Sequence, residues 1–190
     1  MIGTAEVVSS LEGALRLARG DAGGMACFNR SLEGFWRSFF AAIIAAPAYM
    51  ALAAPVGEGA SGDLLRPVLV DAIAYVIGWV AFPLAMTYVA AVLQREDRYL
   101  GYIVAYNWAQ VPQAFLYLTG AIMVRVFGIA EPLNQVLGVT VLGAILVYTW
   151  FVARTALEIT RVQAVGLVGL DIGLTIVIGT VAAALKAGVI

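Results

Sequence analysis

Residues 106–113 read Tyr-Asn-Trp-Ala-Gln-Val-Pro-Gln, inside a stretch that is otherwise almost wholly apolar. Amide side chains in such a setting can hold a solute, bond a neighbouring helix, or satisfy a freed backbone group. At about 100° per residue, Asn107, Gln110, Gln113 and Tyr117 fall within one arc of about 120° on a helix. Amides do not rest against lipid tails, so that arc must face protein or water. Pro112 lacks the N–H that would reach the carbonyl of Trp108, so a kink is expected there, with a carbonyl in need of a partner.

A second polar group stands at similar depth. Asp171, in Leu-Val-Gly-Leu-Asp-Ile-Gly-Leu-Thr, interrupts the last apolar stretch, with Thr175 one helical turn on. A bare carboxylate at the centre of a bilayer costs several kcal/mol. Asp171 is therefore expected to face the bundle interior, hydrogen-bonded to the amides around Asn107, with Thr175 as a further donor. Three roles fit this cluster: interhelical glue that fixes register, a path for a solute or proton, and a surface for a partner.

Catalysis finds little support. A nucleophile–base pair needs a histidine, an activated thiol, or a lysine beside a carboxylate. The chain has no histidine, its one lysine is Lys186 near the C-terminus, and its one cysteine is Cys27. Two aspartates in apolar stretches, Asp71 and Asp171, suggest a shared-proton dyad. Their expected depths differ, and the residues before Asp171 (Val168-Gly169-Leu170) lack the Gly-x-Gly-Asp pattern of intramembrane aspartyl proteases. The reading is non-enzymatic, with no metal site, no cofactor and no intramolecular disulfide.

The elements that must position these residues follow from composition. Hydrophobic residues make up 63% of the chain, charged residues 12%, and the mean hydropathy is +0.95. A soluble domain carries about 25% charged residues, so this chain needs lipid as most of its solvent. The net charge of −1 and the lack of a basic stripe exclude nucleic acid as a partner. Residues 1–30 show no secretory leader, so insertion through the chain's own helices is expected.

Charges divide the chain into spans. Uncharged runs lie between Arg37 and Glu58, Asp71 and Arg95, Arg98 and Arg125, and Glu131 and Arg154. The run from Val162 to Leu185 is broken only by Asp171. Each reaches the roughly 20 residues that cross a ~30 Å hydrocarbon core at about 1.5 Å per residue. The spacing predicts an all-α helical membrane bundle of five spans, near 36–56, 67–93, 100–124, 133–153 and 163–185.

Eight arginines fall on one side of these spans (16, 19, 30, 37, 95, 98, 154, 161), against Arg66, Arg125 and Lys186 on the other. By the positive-inside rule the N-terminus is cytoplasmic and the C-terminus outside, with Trp36, Tyr99, Tyr102 and Trp150 at the inner interface. Arginine over lysine by ten to one suits a GC-rich bacterial genome, and with it a bacterial inner membrane. Residues 1–34 form a cytoplasmic segment and 35–190 the membrane domain. Within the first segment, Val7, Val8, Leu11, Leu15 and Ala18 recur at helical spacing, and Gly20-Asp-Ala-Gly-Gly24 then breaks the helix. An amphipathic helix lying on the inner leaflet is expected. The loop at 55–66 reads as a plain connector.

On the last span Gly166, Gly169 and Gly173 form a small-residue stripe, with Gly169 and Gly173 four apart. Asp171 lies about 200° around the helix from Gly169, so carboxylate and glycines serve different neighbours. The alanine-rich first span (Ala41, Ala42, Ala45, Ala46, Ala48) is the expected partner of the stripe, with self-association as the alternative. Arg154 and Glu158, at i and i+4, are expected to pair.

Five spans, a cytoplasmic N-terminal segment and a short outer C-terminus resemble the Yip family, membrane proteins named for interacting with Ypt/Rab GTPases, and its bacterial members. The resemblance covers roughly residues 35 to 188, and the polar third span at Tyr-Asn-Trp-Ala-Gln-Val-Pro-Gln adds to it. It implies a membrane-organising or accessory role and transfers no catalytic residue; in a bacterium it implies no Rab partner. Two functions are thus expected: an accessory subunit working through helix packing, with lipids, another integral membrane protein or its own copy as partner, or a transporter or channel component with a polar site at Asn107, Gln110, Gln113 and Asp171.

Overall fold

A computed structural model of the chain describes residues 2–53 and 65–188. The described residues are all-helical. They form α1 (Thr4–Ala18), a 3-10 helix (Ala22–Cys27), α2 (Leu32–Ser38), α3 (Phe40–Ala53), α4 (Leu65–Val92), α5 (Glu96–Phe127), α6 (Leu133–Leu157) and α7 (Arg161–Ala187). Four stretches among them are long and apolar enough to cross a membrane: Leu32–Leu52, spanning α2 and α3, then α4, α6 and α7. The helix α5 is the longest, at 32 residues, about 48 Å at about 1.5 Å per residue. It carries the amides and falls short on apolar content. Of the expected connector, residues 55–64 lie outside the described residues, and Leu65 and Arg66 open α4.

The helix ends follow local chemistry. Ser31 caps α2 by accepting from the Gly34 N–H at 3.1 Å, and Thr160 caps α7 in a capping box with Gln163. At its other end α7 stops at Gly188, whose φ of +72° is left-handed and free for glycine. Glu158 ends α6 with φ +50°, unusual for a residue with a Cβ. That turn carries its side chain off the helix face that Arg154 occupies. The expected Arg154–Glu158 pair is therefore replaced: Glu158 pairs with Arg98 at the start of α5, and Arg154 lies over the Trp150 ring, 5.5 Å from its centroid.

The helix α5 is the core. Its run from Gly101 to Ala109 is buried without a break, and it meets α1, α2, α3, α4 and α6. Ala41, Ala45 and Ala48, at i, i+4 and i+7 of α3, are 0–3% exposed. This alanine face packs on α5, which corrects the expectation that it receives the glycines of the last span. A Cβ added at Gly166, Gly169 or Gly173 would meet no atom within 4 Å, so the stripe is uncovered within the described chain. Tyr102 is also placed differently from its expected interfacial position. It is fully buried, edge-on to Phe82 with centroids 6.2 Å apart, because its face of α5 turns toward α4.

The N-terminal helix α1 packs on the bundle through a face other than the expected apolar stripe, of which Val8 and Leu15 stay exposed. Ser10, Gly13, Ala14 and Leu17 are buried, against the 3-10 helix, α5 and α6. The Tyr148 hydroxyl donates to the Ala14 carbonyl at 2.7 Å, and Arg37 pairs with Glu6 at 2.8 Å. Two glycines let the backbones touch: a Cβ on Gly24 would stand 2.6 Å from the Gly13 carbonyl oxygen. The Arg16 guanidinium, hydrogen-bonded to Asp21 at 2.7 Å, holds that carboxyl below its ordinary range. The N-terminal segment thus caps one end of the bundle, where α5 begins and α6 ends.

Candidate functional site: an intramembrane polar cavity

Two helices carry the polar side chains. From α5 come Tyr106, Asn107, Gln110, Gln113 and Tyr117, and from α7 Asp171 and Thr175. The structure divides them into two groups.

Asn107 belongs to the closed half. It is completely buried, and its amide donates to Ser38 Oγ at 2.9 Å, while Ser38 donates to the Phe35 carbonyl at 2.7 Å. Ser38 is itself completely buried, just before the break at Phe39 between α2 and α3. This bond ties the core helix to the broken first apolar stretch. Sequence reasoning missed Ser38. The available signal was a hydroxyl inside an apolar run at the depth of Asn107.

The remaining residues gather around a cavity of about 780 Å³ bounded by α3, α4, α5, α6 and α7. Gln110, Gln113, Tyr117, Asp171 and Thr175 all line it. Its deep end is at Tyr106 and Asp171. It extends to Asp71 near the start of α4 and Lys186 near the end of α7, which form an ion pair at 2.7 Å. The rest of the wall is mainly apolar and aromatic, including Tyr49, Tyr75, Trp79 and Phe82.

Asp171 faces the interior, as its desolvation cost requires, but its partner differs from the expected amides. The Tyr106 hydroxyl donates to Asp171 Oδ1 at 2.7 Å. Tyr106 is held for this by its ring, which stacks on Phe82 with centroids 4.3 Å apart. A tyrosine reaches farther from its backbone than an amide, and so spans the gap between α5 and α7 that the cavity leaves. Among the described residues no other donor reaches the Asp171 carboxylate, and Gln113 has no side-chain partner. Both residues line the cavity.

Such a site can hold a small molecule by a carboxylate, two amides and several hydroxyls set in apolar walls. Lys186 beside Asp71 is the lysine–carboxylate contact of the lining, and among the described residues no three of His, Cys, Asp and Glu gather as metal ligands. Comparisons with protein-family models, curated proteins and solved structures find no match to this chain.

Proposed function

We propose that the chain is a five-span integral membrane protein that binds a small molecule within the bilayer, as a transporter or channel component. The cavity that brings Gln110, Gln113, Asp171 and Thr175 to one open volume carries this reading. Its size falls in the range of about 300–1,000 Å³ usual for ligand sites. Glue residues would be expected to bond one another and leave no space, as Asn107 and Ser38 do.

In this reading α5 is a span as well, the third in chain order, and the half that carries Asn107 and Gln113 is covered by its neighbours, which is why those amides are tolerated. Eight of the eleven cations flank the end capped by α1. That end is cytoplasmic, the cavity opens toward the outer face, and a bacterial inner membrane is the setting. A second reading has one specific observation behind it. The uncovered glycines of α7 leave room for another helix, which fits an accessory subunit of the Yip type joined to a second membrane protein or copy.

Thiol accessibility tests the first reading. In a Cys27→Ser background, Thr175→Cys and Gln110→Cys are expected to react with a membrane-impermeant methanethiosulfonate added from the outer face, while Asn107→Cys stays inert. Thr175→Cys and Gln110→Cys as inert as Asn107→Cys would mean a closed, structural cluster.

A further inference from the structure

The proposed binding site carries enough chemistry to define its ligand. The ionisable side chains of the lining are Asp71, Asp171, Lys186 and tyrosines. Lys186 is matched by Asp71 at 2.7 Å. Asp171 has only the neutral Tyr106 hydroxyl, at Oδ1. Its Oδ2 has no donor among the described residues, although the residue lines the cavity. The lining is therefore one carboxylate in excess, and it contains no unmatched cation.

Aromatic rings run from the mouth to this carboxylate. Tyr49 lies against Tyr75 with centroids 4.6 Å apart, Tyr75 against Trp79 at 6.1 Å, and Phe82 stacks on Tyr106 beside Asp171. Ring faces carry negative quadrupole density and attract cations, more strongly where water is excluded. The same rings and the surrounding aliphatic wall disfavour a bare anion, for which the lining holds only neutral donors, amides and hydroxyls, besides a lysine already paired with Asp71. A neutral apolar molecule would fit the walls but leave Asp171 Oδ2 and Gln113 without partners.

We infer that the cavity binds an organic cation: a protonated amine on an apolar body, its ammonium at Asp171 Oδ2 and its body along Tyr75, Trp79 and Phe82. This rests on the reading of the cavity as a binding site. The amine has two possible sources, a free lipophilic solute or the headgroup of an aminophospholipid, and the same N–H donors serve both.

The test uses the full chain in nanodiscs of phosphatidylglycerol, which supplies no amine, with empty nanodiscs subtracting partition into lipid. Saturable binding is measured for phenethylammonium, 2-phenylethanol and 3-phenylpropionate, which share one apolar body. The amine is expected to bind about tenfold or more tighter than the alcohol, with the carboxylate weakest. Asp171→Asn, which keeps an oxygen for the Tyr106 hydroxyl, is expected to remove the preference for the amine and leave the alcohol unchanged. Amine and alcohol binding equally, or a preference untouched by Asp171→Asn, would overturn the cation assignment while the cavity remained a binding site. Saturable binding of none of the three would overturn the binding site itself. Should Asp171→Asn not purify folded, the three-ligand comparison on the unmodified chain decides alone. Phosphatidylethanolamine added to the nanodiscs distinguishes the sources: competition with phenethylammonium identifies a lipid headgroup as the amine, and its absence identifies a free solute, either outcome retaining the cation.

Discussion

Asn107 of α5 donates its side-chain amide to Ser38 Oγ, 2.9 Å away, at the break between α2 and α3, and both residues are completely buried. Ser38 passes the bond on to the Phe35 carbonyl, so three polar groups are linked inside an apolar interface. Hydrogen bonds between membrane helices contribute about 0.6 kcal/mol on average and at most about 1.7. A double-mutant cycle with Asn107→Ala and Ser38→Ala, read by reversible unfolding in bicelles, is expected to give a coupling in that range. A coupling indistinguishable from zero would mean that the bond follows from packing and contributes nothing to it.

Tyr106 and Asp171 form the other tie, from α5 to α7, and here removing one partner should cost more than removing the charge. Tyr106→Phe keeps the stack on Phe82 and strips the hydroxyl from the carboxylate. A partly buried polar group left unpaired costs about 1–3 kcal/mol, and that loss is expected in the same unfolding assay. In the Asp171→Asn background the amide nitrogen adds a donor of its own, so Tyr106→Phe should then cost distinctly less. Equal costs in both backgrounds would show that the hydroxyl does not sense the carboxylate.

Four of the five expected spans answer to stretches long and apolar enough to cross a membrane, legible because lipid penalises each charge separately. Inward placement of Asp171 was legible for the same reason. What the sequence withheld was which face meets which. Helical periodicity put Gln110, Gln113 and Tyr117 on one arc, and the structure does bring them to one cavity. It also set Asn107 on that arc, yet Asn107 turns into the closed half, because an arc of about 120° is wide enough to touch two neighbours. Ser38, Tyr106 and the Asp71–Lys186 pair join residues 65 to 115 positions apart, and no local pattern encodes such pairings. The docking of α1 was missed because the residues it buries, Ser10, Gly13, Ala14 and Leu17, carry less apolar signal than the stripe that includes Val8 and Leu15, which stay exposed.

The contact between α1 and the 3-10 helix depends on two glycines. A Cβ on Gly24 would stand 2.6 Å from the Gly13 carbonyl oxygen, and one on Gly13 would stand 2.9 Å from the Gly24 carbonyl oxygen. Backbone cannot yield as a flexible side chain can, so Gly24→Ala is expected to separate the two segments. Limited proteolysis should then cut within residues 1–30 many times faster than in the unmodified chain, while the spans stay protected. Unchanged protection of the N-terminal segment would show that side-chain ties such as Tyr148–Ala14 and Arg37–Glu6 suffice to hold α1.

The glycine stripe of α7 gives the opposite expectation. With no atom within 4 Å of a Cβ at Gly169, Gly169→Ala meets no clash in the isolated chain. Alanine also exceeds glycine in helix propensity by about 1 kcal/mol. Gly169→Ala should therefore leave the protein in nanodiscs, one chain per disc, as stable as before or slightly more so. If a second membrane helix seats on the stripe in cells, the same substitution should reduce its co-purification or cross-linking, because the close approach needs glycine. Loss of association without loss of stability would favour the accessory-subunit reading. Loss of stability in the single chain would mean that α7 packs more closely than its open face allows, and would remove the stripe as an interface.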